Sequence, residues 1–321
     1  MVENMTTEKI IITGGLGFLG STIAKKFFHK FKIVIIDKVD IDKQKINRIS
    51  KISGQIIYKK IDLSAMTKEE MKWLSNELTD TAYFFHFAAS VGVKSIDKNP
   101  QKSIIQEYKV NMTLLPMLAK NKTRTFFASS SEVYGNQDDC KETQELIIGP
   151  PNILRWGYAC NKLMTEFLIR SYNIPHTILR LFNVTGKSQS AEQGMVIPKM
   201  VKDASEKGTI FVYGEGTQTR AFCHVIDFSN AIERIIDDNL FENEIVNIGN
   251  DQNKLSIYEL AKKVKEHIRP DAKIVFKKYD EEYSKESKDI YRRSPDITKL
   301  KTAYSPKLTV DDIILSFKSE T

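Results

Sequence analysis

The first half of the chain alternates short β-branched runs with longer stretches whose apolar residues recur at helical spacing. Lys9 to Ile12, Lys32 to Ile36, Gln55 to Ile61, Ala82 to Phe87, Thr125 to Ala128 and His176 to Leu181 read as strands. Ser21 to Phe31 and Ser103 to Lys120 read as helices between them. Parallel neighbours need crossover connections, and right-handed crossovers place their helices on both faces of the sheet. The pattern therefore predicts an α/β fold with a doubly wound parallel sheet over residues 1–182. Beyond Asn183 the pattern is less regular. Strands are expected at Ile210 to Tyr213 and Ile245 to Ile248, and helices at Pro198 to Glu206, Asp227 to Asp237 and Ser256 to Ile268. Residues 183–321 are read as a smaller, mainly substrate-binding lobe. With no Pro- or Ser-rich linker and no internal repeat, the two lobes are expected to interleave. Lys277 to Asp289, dense in charge, is expected to be a solvated surface segment.

The turn after the first strand carries chemistry. Gly14, Gly17 and Gly20 recur every third residue in TGGLGFLG and open the first helix. Glycines let the backbone approach a pyrophosphate, whose charge the free amides and positive dipole of the helix start stabilise. Asp37, ending the second strand about 20 residues on, is placed to accept both hydroxyls of an adenosine ribose, and it would repel a 2′-phosphate. The reading is a Rossmann dinucleotide site that favours NAD over NADP. Asp62, followed by Leu63 after the third strand, is either a contact to the adenine amino group or a helix cap.

Composition narrows the class. At 321 residues and 41% hydrophobic, the chain can bury a large core. The 48 Lys and Arg against 41 Asp and Glu give a net charge of +7, but no basic stripe with interleaved aromatics occurs, so no nucleic-acid partner is expected. A diphosphate-bearing small molecule suits the charge equally well. Cys140, Cys160 and Cys223 show no metal-ligand pairing and are read as reduced thiols; no metal site is expected. No stretch approaches the roughly 18 apolar residues of a membrane span, and MVENMTTEK lacks the regions of a signal peptide, so a cytoplasmic protein with no membrane contact is expected.

Tyr158 and Lys162 lie four apart in a helical stretch, GYACNKLMTEFLIRSY, and so share one face. An ammonium beside a phenol favours the phenolate, which makes the tyrosine a usable general base. TGGLGFLG, Asp37, HFAA at 86–89, SSSEVYG at 129–135 and Tyr158-x-x-x-Lys162 occur in that order. In this the chain resembles the extended short-chain dehydrogenase/reductases, specifically the NAD-dependent sugar-nucleotide epimerase/dehydratase/decarboxylase family, over about Lys9 to Phe317.

The resemblance implies that Tyr158 deprotonates a sugar hydroxyl, usually on carbon 4, as hydride moves to NAD. Lys162 would hold the cofactor ribose and lower the tyrosine pKa, and Ser130 would hydrogen-bond the reacting oxygen, with Ser131 its neighbour on the substrate side. Phe18, Leu19, Leu63 and Ala88 join the glycines, Asp37 and Asp62 around the cofactor. The substrate would be a nucleoside diphosphate sugar, with Asn183 and Arg220 at its diphosphate and Arg293 as a second substrate arginine, a role for which Arg292 competes. A homodimer is implied, through a helix pair formed by 103–120 and the Tyr158 helix, with a tetramer as the other assembly. The implied setting is polysaccharide or glycoside biosynthesis.

The reaction that follows oxidation is less determined. Glu132 is a candidate acid/base near carbon 5 or 6. The acidic pair that precedes Val-Tyr-Gly in 4,6-dehydratases is broken here by Ser131, and with AASVGVK at 88–94 and GTQTRAF the local pattern is more like UDP-glucuronate decarboxylases. Asn161 stands where many relatives carry serine. Decarboxylation or epimerisation ranks first, ahead of a 4-dehydrogenase releasing the keto sugar, a 4,6-dehydratase, or a non-catalytic NAD-binding sensor.

Overall fold

In the computed structural model, residues 8–40, 49, 56–89, 99–278 and 290–318 are described. Seven strands form one sheet: β1 (Lys9–Thr13), β2 (Lys32–Asp37), β3 (Ile56–Lys60), β4 (Thr81–His86), β5 (Arg124–Ser130), β6 (His176–Leu181) and β7 (Glu244–Ile248). All neighbours are parallel and the spatial order is 3-2-1-4-5-6-7. The Ile-rich cores of KIIIT and KIVIID are what this arrangement demands, because strands covered on both faces have no solvated side for alternate polar residues. The order reverses between β1 and β4, which leaves a crevice at the carboxyl ends of those strands.

Among the described residues the helices are α1 (Phe18–Phe27), α2 (Lys68–Leu78), α3 (Pro100–Asn121), α4 (Trp156–Ser171), α5 (Val196–Lys207), α6 (Val225–Asp237), α7 (Ile257–Ile268), α8 (Thr298–Lys301) and α9 (Val310–Ser316). One face of the sheet packs with α1 and α6 around Phe27, Phe85, Phe126 and Phe228. The other packs with α2, α3 and α4 around Leu74, Leu114, Phe127 and Ile169. Thr67 and Glu70 start α2 with a reciprocal capping box, satisfying two amides that the helix start leaves open.

Helix α1 stops at Phe27 rather than running on to Phe31. The amides of Lys30 and Phe31 turn back onto the Phe27 carbonyl, and the Phe31 ring packs edge-on to Tyr83 with centroids 5.9 Å apart. A tertiary aromatic contact thus overrides the local helical period. Gln55, the segment 90–94 and most of 277–289 lie outside the described residues.

The main sheet does not end with residue 182, since β7 pairs with β6 in register from Glu244 opposite Thr177 to Ile248 opposite Leu181. Helix α6 returns against α1, where Lys26 meets Glu233 at 2.7 Å and Lys30 meets Asp237 at 2.9 Å. The second core gathers α5, α7 and α9 around the parallel pair Thr209–Tyr213 and Lys273–Lys277. Arg293–Pro295 pairs back with Gln137–Cys140, and Cys223–His224 with Val184–Thr185, so the chain crosses repeatedly between the two cores.

Phe85 is fully buried in β4 and stacks on Phe126 of β5 at 5.0 Å and 18°. Phe85→Ala leaves a cavity at the centre of the sheet and is expected to cost about 3–5 kcal/mol, measured by urea unfolding.

Candidate active site

Gly14 turns the chain out of β1 with φ +65°, and its amide donates to the Ile36 carbonyl at 2.8 Å. A Cβ there would stand 2.9 Å from the Ala88 nitrogen and the Phe87 oxygen, so both conformation and space require glycine. At Gly20 a Cβ would lie 2.4 Å from the Gly14 oxygen, which lets the start of α1 press onto the turn. Thr13 Oγ1 accepts from the Phe87 and Ala88 amides, both at 3.2 Å, and fixes the opposite wall. Asp37 accepts from the Leu16 amide at 3.1 Å, so the second strand is tied to the same loop.

These elements border a cavity of about 670 Å³. Gly14, Gly17, Phe18, Leu19, Gly20, Asp37, Asp62, Leu63 and Ala88 line it on one side, and Ser130, Ser131, Glu132 and Tyr158 line it next. Asn183, Arg220 and Arg293 line it further along, with Phe211 and Tyr213 of the second core. Every residue given a site role from the sequence borders this one space except Lys162 and Arg292, the competitor of Arg293. A glycine-shaped cradle with a strand-end carboxylate fits a dinucleotide: Gly14, Gly17 and Gly20 would leave room for its diphosphate and Asp37 would take its adenosine ribose. Asp62 is turned to its own loop, accepting from the Ser64 amide at 2.9 Å and the Ser64 hydroxyl at 2.7 Å, which holds its carboxyl below the usual range.

Ser130 ends β5, and its hydroxyl accepts from the Glu132 amide at 3.2 Å, capping the single turn Ser131–Tyr134. Tyr158 borders the same cavity as Ser130. Burial pushes the Tyr158 phenol up, Lys162 opposes that, and Glu132 and Glu107 add to it; the net shift is upward. The ammonium therefore acts in the direction the sequence predicts, but desolvation outweighs it.

Glu132 is flanked by two arginines. Arg155 donates to its Oε1 at 2.9 Å, and Arg293 Nη1 lies 3.1 Å from the same oxygen. Burial pushes this carboxyl up, but Arg155 and Arg293 overcome it and hold it at about 2, so Glu132 is ionised at neutral pH. Arg293 also reaches Asn183 Oδ1 at 3.2 Å, and its Nε is buried with no hydrogen-bond partner in the protein. Asn183, with φ 40°, donates its other amide group to the Ala221 carbonyl at 2.9 Å. Arg220 is buried and donates to the Thr219 carbonyl at 2.8 Å.

Lys162 does not border the cavity. It is 2% exposed, and its ammonium donates to Glu107 Oε1 of α3 at 3.0 Å. Sequence reasoning missed both Glu107 and Arg155. A signal for Glu107 was present, because Ser103, Glu107 and Asn111 form a polar stripe at four-residue spacing on α3, and all three are buried. Arg155, three before Tyr158 in LRWGY, carried no signal beyond proximity. Among the described residues no group of acids, histidines and cysteines could hold a metal, and no helix is long and apolar enough to cross a membrane.

Residues 10–249 match the NAD dependent epimerase/dehydratase family. The chain is 32% identical, over 92% of its length and 91% of the relative's, to a UDP-N-acetyl-alpha-D-glucosaminuronate decarboxylase of Bacillus cytotoxicus. It is 28% identical, over 94% of its length and 65% of the relative's, to UDP-glucuronic acid decarboxylase 2 of Arabidopsis thaliana. The structure of a UDP-glucuronic acid 4-epimerase from Bacillus cereus, in complex with UDP-glucuronic acid and NAD, shares the fold at a TM-score of 0.83 and 24% identity, covering 97% of this chain and 98% of that one. The family match over most of the chain and the first of these relatives agree with the glycine cradle and Asp37: the chain belongs to the NAD dependent epimerase/dehydratase family, as an enzyme whose cofactor is NAD.

Proposed function

We propose that this enzyme is a decarboxylase of a uridine diphosphate uronic acid, oxidising the sugar at carbon 4 and releasing its carboxylate as carbon dioxide. The observation that carries this reading is the buried cluster in which Glu132 meets both Arg155 and Arg293. Two guanidinium groups against one carboxylate leave a net positive charge at the cavity wall, which suits a sugar bringing a carboxylate of its own. Because Glu132 already engages both arginines, the incoming carboxylate stands beside a fixed anion. Its departure as neutral carbon dioxide relieves that repulsion, whereas an epimerase must keep the carboxylate through the ketone stage. The 32% identical relative, named as a uronate decarboxylase, supports the same choice and the uridine base.

NAD, which Gly14, Gly17, Gly20 and Asp37 would hold, would supply a hydride acceptor at carbon 4 and the hydride for the closing reduction. Ser130 orients the carbon 4 hydroxyl, and Tyr158 Oη takes its proton, with the positive charge of Lys162 easing phenolate formation. As the carboxylate leaves, the electron pair of its bond to carbon 5 passes to the carbon 4 oxygen, where Ser130 and the protonated Tyr158 hold the developing charge. Asn183 and Arg220, which line the cavity further along, take the diphosphate in this reading.

The proposal extends to assembly as a homodimer. Ile104, Ile105, Tyr108 and Met112 of α3 and Met164 and Phe167 of α4 are 40–63% exposed, an unusual density of large apolar side chains for two adjacent helices.

Incubated with UDP-glucuronic acid or UDP-N-acetylglucosaminuronic acid, the enzyme is expected to give a product lighter by one carbon dioxide, read by mass spectrometry; a product of unchanged mass overturns the reading. Tyr158→Phe is expected to lower kcat by about 100-fold or more while NAD affinity, measured by calorimetry, stays near that of the wild type. Glu132→Gln is expected to lower kcat while also lowering KM, since it removes a repulsion felt by the bound substrate, and steady-state kinetics separate the two effects. Light scattering of the purified chain is expected to give twice the monomer mass, falling to one in Phe167→Glu.

A further inference from the structure

Lys162 is buried among three groups, two of them carried on other elements. Its ammonium lies 3.0 Å from Glu107 Oε1, 4.9 Å from the centre of the Phe127 ring and 5.9 Å from that of Tyr158. Glu107 borders the cavity and Lys162 does not. No other acid occurs on α3, and Glu107 sits in its buried stripe between Ser103 and Asn111. Asn111 in turn bonds α3 to α4 by donating to Thr165 Oγ1 at 2.7 Å. Glu107 is thus carried on a face fixed against the helix that bears Tyr158 and Lys162.

We infer that Glu107 is a positioning residue for the Tyr158–Lys162 pair: by holding the Lys162 ammonium in the cavity wall and offsetting its charge, it sets how readily the Tyr158 phenol gives up its proton. A surface lysine would lose its charge effect to solvent within a short distance, but this pair is buried, where opposite charges a few ångströms from a phenol act strongly. The other groups around the pair leave this role to Glu107. From β4, His86 is buried, and burial holds its imidazole down to about 4, so it is neutral and adds no cation. From the turn after β5, Glu132 also pushes the phenol up, but its contacts are with Arg155 and Arg293 rather than with Lys162. On α4 itself, Glu166 is engaged by Arg180 at 2.7 Å and by Ser129 at 2.5 Å. Glu107 alone among these acids spends its charge on Lys162.

This inference rests on Tyr158 acting as the base, as proposed above, and its test needs no turnover. In the NAD-loaded full chain, labelled with carbon-13 at tyrosine Cζ and assigned by Tyr158→Phe, the Tyr158 signal is titrated by NMR. Glu107→Gln is expected to lower its midpoint by about one pH unit or more, and Glu107→Asp, which keeps the charge, to leave it near the wild type. An unchanged or higher midpoint in Glu107→Gln overturns the inference. Should that variant not fold, nitrogen-15 lysine NMR of the wild-type chain, assigned by Lys162→Arg, reads the contact directly. A Lys162 ammonium protected from hydrogen exchange supports the hold, and one exchanging like a surface lysine overturns it. A failure to release carbon dioxide bears on the proposed reaction and leaves both of these readouts intact.

Discussion

The constraint on which the site depends is the close approach at Gly20, where one added methyl would collide with the Gly14 carbonyl oxygen. Because that methyl is absent, α1 begins against the turn leaving β1, and its free amides face the crevice rather than a side chain. The rest of the site is positioned from this point. Asp37 is tied to the turn through the Leu16 amide, and Thr13 carries the 87–88 backbone on the other side. The reversal of strand order beside β1 opens the crevice, and the glycine turn forms its floor.

Past the glycines, the cavity wall is held by charge rather than by shape. Glu132 with Arg155 and Arg293, Glu107 with Lys162, and Glu166 with Arg180 are buried ion pairs that join α3, α4, β6 and the segments before and after them. Such pairs gain little over apolar packing, since desolvation costs several kcal/mol per ion, and removing one partner leaves a charge uncompensated. Their concentration beside Tyr158 is better explained by function. In the reaction proposed above, a phenol that loses and regains a proton needs fixed charges of both signs whose positions solvent does not average.

How much of this was legible follows the same division. Strand positions and the glycine turn could be read because they depend on local rules, β-branched runs between crossovers and a backbone that must come close to its neighbour. Asp37 could be read because the length of a βαβ unit fixes where its acid falls. The end of α1 could not, because Phe31 leaves the helix for Tyr83, a residue of another strand. Nor could the partner of Lys162, since the contact joins residues 55 apart in the chain. The return of β7 to the sheet, more than 60 residues after β6, belongs to this class as well: its apolar run is visible, but its neighbour is not.

Ser131 and Glu132 show where sequence and geometry must be combined. The sequence places a serine and a glutamate before Val133-Tyr134-Gly135, which removes one acid from the pair that a dehydration would use and leaves the other. Sequence alone assigns that remaining acid no protonation state. The structure surrounds it with two guanidinium groups and holds it ionised, so it cannot serve as a resting proton donor to a leaving hydroxyl. In the decarboxylation proposed above, a permanent anion beside two shared cations has a different use: the cations admit a carboxylate to the cavity, and the anion makes that carboxylate easier to lose. Neutralising either arginine would let the glutamate take up a proton at higher pH and would change the chemistry the pocket favours, so the triad of Glu132, Arg155 and Arg293 acts as one unit rather than as three residues.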